Sequence, residues 1–156
     1  MTVLYLDDLA PGQCFGGAAR IRIEPERVAS FATEFDPQPF HLDAQAATQT
    51  LFGGLAASGW HTAAATMRLL VDSDFKPAGG IVGAGFEELR WPLPVRPGDE
   101  LRVESEVLEV RASRSRPQQG LVRLRTSTYN QHNELVQVSV GSLVVQRRPA
   151  SAPGVN

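Results

Sequence analysis

From residue 81 onward apolar residues recur with a period of two, and this constrains the fold more than any other feature of the chain. Leu101, Val103, Ser105 and Val107 alternate against Arg102, Glu104 and Glu106, as in a strand with one buried and one wet face. Residues 81–91 form another candidate strand, in which Gly83 and Gly85 permit curvature before Pro92, Pro94 and Pro97-Gly98 end it. Two further strands, 121–129 and 135–145, flank the turn-like segment Asn130-Gln131-His132-Asn133. Val136, Val138 and Val140 hold one parity, and Leu143 and Val145 the other, so a bulge is expected at the intervening Gly141. Helical spacing is confined to the first half. This order argues for an α+β fold in which a curved antiparallel sheet packs on a helix.

The lead-in alternates Leu4, Leu6 and Leu9 around Asp7 and Asp8, as a packed arm would, and Arg20–Ile23 reads as a short strand. Pro25 suits a first helical turn, and Val28, Phe31, Ala32 and Phe35 then form one apolar stripe that stops at Pro37. The end of that helix delivers Asp36 beside the core. Asp43 is placed to cap a short helix over 44–47, and Gly53-Gly54 breaks the chain. A longer helix is expected over 58–71, with Ala63, Ala64, Met67, Leu70 and Val71 facing the core and Arg68 and Asp72 outside it. Residues 1–148 read as a single domain, and 149–156 as a disordered tail.

The candidate chemistry lies in Asp36-Pro37-Gln38-Pro39-Phe40-His41. Two prolines stiffen the segment, so a carboxylate and an imidazole are expected together on a stiffened loop. Such a pair can activate a water and return a proton. On residue types alone the simpler reading is an Asp that caps a turn and a structural His. Ser58 reads as a helix cap rather than a hydrolase nucleophile, because no glycine stands two residues before it. The three histidines, His41, His61 and His132, lack the spacing of helical zinc ligands, and no metal site is expected. The glycines from Gly79 to Gly85 are followed by neither Gly-Lys-Ser nor Gly-Lys-Thr, which argues against a phosphate loop.

Fifteen Lys and Arg against seventeen Asp and Glu leave a formal charge of −2, so no global field favours nucleic acid or an anionic membrane. Cys14 is the single cysteine, which excludes an intrachain disulfide and suits a reducing compartment. With an acidic N-terminus and no long apolar run, the expectation is a cytoplasmic protein.

The longer pattern Asp36-Pro37-Gln38-Pro39-Phe40-His41-Leu42-Asp43, then Ala46-Ala47-Thr48, Phe52-Gly53-Gly54 and Ala57-Ser58-Gly59, resembles the MaoC-like dehydratases, the (R)-specific enoyl-CoA hydratases. The likeness continues through 86–99 and 111–117. Ser58 stands where these hydratases often carry His, and Gln38 where they often carry Asn. The resemblance implies a hotdog fold, a sheet wrapped round a long helix, commonly paired as a homodimer. It implies a hydro-lyase of fatty acid metabolism acting on an acyl-CoA or other acyl thioester, with coenzyme A as part of the substrate and no separate cofactor. Asp36 and His41 would flank the catalytic water, and the Gly59 N–H would meet the thioester oxygen. Arg111, Arg114 and Arg116 are then candidates for the coenzyme A phosphates, since forked guanidinium donors suit that group. A hotdog thioesterase and a noncatalytic acyl-thioester-binding protein share much of this pattern.

Overall fold

The computed structural model describes residues 2–150; most of the expected tail lies outside them. Six strands and four α-helices follow in the order β1 (Cys14–Phe15), β2 (Ile21–Arg22), α1 (Pro25–Phe35), α2 (Pro39–Leu42), α3 (Ala44–Ala47), α4 (Gly59–Asp72), β3 (Val82–Arg90), β4 (Glu100–Ala112), β5 (Gln119–Tyr129) and β6 (Leu135–Gln146). The sheet runs β1-β4-β5-β6-β3, with β2 also paired to β4, and every pairing between these strands is antiparallel. The helix-first, strand-later order is as expected. The β1 strand was not, because two residues carry no readable alternation.

The lead-in is tied down at both ends. Leu4 bridges Pro77, Leu6 and Leu9 are buried, and a 3₁₀ turn spans Leu6–Asp8. These leucines join Leu70, Phe75, Val107, Val122, Leu124, Leu143 and Val145 in one apolar cluster. A second cluster gathers Ile23, Val28, Ala57, Ala65, Leu69, Val95, Leu101, Val103 and Val136, with Ala65 and Leu69 contributed by α4. The alternation of β4 appears as read, with Leu101, Val103, Ser105 and Val107 buried.

Two expectations are corrected. No bulge falls at Gly141, where β5 and β6 pair continuously; the β3–β6 register shifts between Gly83 and Gly85 and again between Phe86 and Glu88, and further shifts lie between Val107 and Glu109 of β4 and between Thr128 and Tyr129 of β5. Gly141 instead makes room for the Phe86 ring, which a Cβ there would approach to 3.1 Å. The buried face of α4 is also different. His61, Thr62, Ala65, Thr66, Leu69 and Leu70 point inward, whereas Met67 and Val71 are 44% and 46% exposed. On the inward face Thr66 finds a partner across the core, in the Oγ1 of Thr128 at 2.7 Å. That pairing removes the cost of burying the hydroxyls. On α1 the stripe buries Val28 and Ala32 but leaves Phe35 exposed at 63%.

Candidate active site

Asp36 is the C-terminal cap of α1. Its backbone N–H still bonds Ala32 O at 2.8 Å, but its φ and ψ of −154° and 64° have left the helix, as expected of a residue before proline. Pro39 then opens α2, a single turn in which its missing N–H costs nothing. His41 therefore sits in a helical turn rather than a loop, and its ring is buried, with only 5% of the side chain exposed. The imidazole Nδ1–H donates to Ala56 O at 2.7 Å, which directs Nε2 at Asp36 Oδ2, 3.2 Å away. With Nδ1 committed as donor, Nε2 is the nitrogen left to exchange a proton.

Asp36 keeps 17% of its side chain exposed and has three polar neighbours. Gln38 Nε2 donates to Oδ1, Ser58 Oγ donates to Oδ2 at 2.7 Å, and His41 faces the same Oδ2. Burial alone would raise the carboxyl pKa; the hydrogen bonds from Gln38 and Ser58 and the His41 charge outweigh it, so the value lies below the ordinary 3.8. The group is a carboxylate at neutral pH.

Ser58 is fully buried and serves two elements. Its Oγ accepts from Trp60 N–H at 3.2 Å as the N-cap of α4, and its own hydrogen goes to Asp36. The cap read from sequence is present. Its bond to Asp36, 22 positions away, was not readable. Gly59 opens the helix, and among the described residues no acceptor meets its N–H. A Cβ on Gly59 would stand 2.6 Å from Cε2 of Trp91, so the indole lies directly against the first turn.

Asp36, His41 and Gly59 line one cavity of about 540 Å³, with Phe52, Thr62, Trp91 and Arg96. The last four were missed. The signal for Trp91 and Arg96 was the proline-rich run 91–97, a stiff segment of the kind that holds side chains against a site, which was read only as a strand end. Arg96 ties this segment to the loop before α4 by donating to Phe52 O, Gly54 O and Leu55 O. Arg111, Arg114 and Arg116 do not reach this cavity. They line another, of about 850 Å³, at the β4–β5 hairpin. β4 starts at Glu100, shortly after the cavity-lining Arg96, and Arg111 lies about 35 Å further along it at strand rise.

A carboxylate and an imidazole meet in this cavity beside an uncommitted N–H at a helix start. A family profile described as "MaoC like domain" matches residues 8–130. The chain belongs to the MaoC-like family. It is 34% identical over 142 residues to the uncharacterized protein YdeM of Bacillus subtilis, covering 91% of this chain and 97% of that one. The MaoC-like dehydratase from Rhodospirillum rubrum superimposes with a TM-score of 0.90 at 57% identity, over 94% of this chain and 99% of that one. The (R)-hydratase from A. caviae involved in PHA biosynthesis gives a TM-score of 0.64 at 30% identity, over 90% and 98%. The MaoC-like architecture is thus the hotdog fold, and hydratase or dehydratase chemistry is the general class that these likenesses support.

Proposed function

We propose that the protein is a hydro-lyase that adds water across the 2,3 double bond of an enoyl thioester, or removes it in reverse. The observation that carries this reading is the convergence of Asp36, His41 and the Gly59 N–H on one cavity. A water bonded to the carboxylate and to Nε2 from the cavity side gives one proton to Asp36 as its oxygen attacks C3. Negative charge then develops on the thioester oxygen. The Gly59 N–H and the dipole of α4 stabilise it there, in a site that needs no reorganisation. A proton returned to C2 from the Asp36–His41 pair completes the addition. Acid–base and hydrogen-bond chemistry suffice for this step, with coenzyme A or another thiol carrier entering as part of the substrate.

The same reading takes a homodimer as the working form. β3 ends the sheet with one side unpaired, Phe86 on it is 67% exposed, and Met67 and Val71 add apolar surface on α4. An open, apolar edge of this kind is what pairing with a second copy covers. Contact between the hairpin arginines and coenzyme A phosphates, in this reading, is made from the partner subunit.

Incubation with a panel of enoyl-CoA thioesters, followed by product analysis, tests the assignment. Formation of 3-hydroxyacyl thioester supports it. Release of free thiol would replace it with a thioesterase, and tight acyl-thioester binding with neither product would leave a noncatalytic role.

A further inference from the structure

A second cavity, of about 210 Å³, lies along the same flank of α4 between Thr66, Met67 and Leu70 and the strand residues Phe86, Leu89 and Leu124. Its lining is overwhelmingly apolar, and it holds neither Asp36 nor His41. Trp60 lines both cavities. Trp91 lines only the catalytic one, Gln137 only the apolar one, and the two are bonded to each other, with Trp91 Nε1–H donating to Gln137 Oε1 at 2.9 Å. The wall between the cavities is therefore this pair of side chains, closed on its third side by Trp60, whose ring meets Trp91 edge-on at 5.4 Å and 81°.

The wall is fixed from several directions. Gln137 is buried, so its amide oxygen has little access to water as an alternative donor, and losing the indole would leave it unsatisfied. Trp91 is pressed on the first turn of α4 at the one residue without a side chain. It stands immediately after β3 and is followed at once by Pro92, which restricts its backbone. The ring is thus held where an acyl chain leaving the Gly59 N–H along α4 would have to pass.

We propose that Trp91, held by Gln137, sets the acyl-chain length: with the indole in place the catalytic cavity accepts short enoyl groups, and the apolar cavity beyond it is closed to the substrate. This inference rests on the hydratase reading for its substrate class, and on the two-cavity geometry for its content. A long acyl chain must break the Trp91–Gln137 bond before its apolar tail is buried, whereas a short chain need not.

The test compares four-carbon, eight-carbon and twelve-carbon substrates in the wild type, Trp91→Ala and Gln137→Met. Gln137→Met keeps a similar volume but removes the acceptor, so it reads the same effect should Trp91→Ala fold poorly. Hydration kcat/KM for the wild type is expected to fall about 10-fold or more from four to eight carbons, and either variant to raise the eight-to-four ratio about 10-fold. Calorimetric binding of saturated acyl-coenzyme A of the same lengths reads the wall without chemistry. A length profile that is the same in wild type and variants, or a wild type that prefers twelve carbons, overturns the proposal. Length-dependent binding that responds to the variants, without hydration, would keep the wall and remove the hydratase reading.

Discussion

Ser58 Oγ donates to Asp36 Oδ2 at 2.7 Å while accepting the Trp60 N–H, so one hydroxyl both caps α4 and orients the carboxylate at the end of α1. The two halves of the site are thereby held in register by a single buried oxygen. Ser58→Ala removes both bonds. It is expected to cost about 1 kcal/mol from the cap, to raise the Asp36 pKa toward the ordinary carboxylate value, and to lower turnover about 10-fold. The sign of the pH effect follows from the depressed pKa. Asp36 contributes stability wherever the unfolded carboxyl is ionised, above about 3.8, and loses it as pH falls through the lower folded value. The gap in melting temperature between wild type and variant should therefore narrow as pH falls below 3.8, leaving the share due to the cap.

Asp36→Asn and His41→Gln are each expected to reduce hydration about 10² to 10⁴-fold. Because both groups face the same Oδ2–Nε2 gap of 3.2 Å, their losses should not add in the double variant. Steady-state kinetics on the four proteins checks this. Additive losses would mean that the two residues serve separate steps.

Gly59 is constrained by more than the approach of a substrate. Even Gly59→Ala must move Trp91, since the new Cβ would lie within 2.8 Å of three indole atoms. We expect a stability loss of about 1–3 kcal/mol, with turnover reduced. Adding Trp91→Leu should restore part of the stability without restoring turnover to the wild-type value. Thermal melts and kinetics on the single and double variants separate the two effects.

His61 stacks on Phe31 of α1 with centroids 4.8 Å apart, and its buried Nδ1 has no hydrogen-bond partner among the described residues. Burial, and then the nearby Arg27 charge, push its pKa below 6.5. The unfolded chain thus binds this proton more readily than the folded one, so the protein loses stability as pH falls through 6.5. His61→Phe keeps an aromatic stack and removes the titration. Its melting temperature should fall less than that of the wild type on acidification through this range.

Light scattering at micromolar concentration should report a homodimer, and Phe86→Asp on the open β3 edge should shift it toward monomer. A catalytically active wild-type monomer would refute the paired form.

Much of the architecture was legible because its signals are local. Two-residue alternation marked β4, the proline at N1 marked α1, and Asp43 capped α3 where its spacing to Gln45 and Ala46 allowed. The pattern around Asp36 and His41 also carried the family resemblance, so these residues could be singled out before any contact was known. Tertiary packing decided the rest. The face that α4 buries was misread because apolar count alone favours Ala64, Met67 and Val71, whereas the core accepts Thr62 and Thr66 on the inward side and pairs Thr66 with Thr128. The register shifts fell on β3, β4 and the end of β5 rather than at Gly141 because strand register is a property of two strands, and one strand's parity cannot locate it. The bond from Ser58 to Asp36, the indole over Gly59 and the wall made with Gln137 join residues 22 to 46 positions apart. Such contacts leave no periodic trace, since what selects each partner is the shape and hydrogen-bonding need of a side chain that only folding brings near.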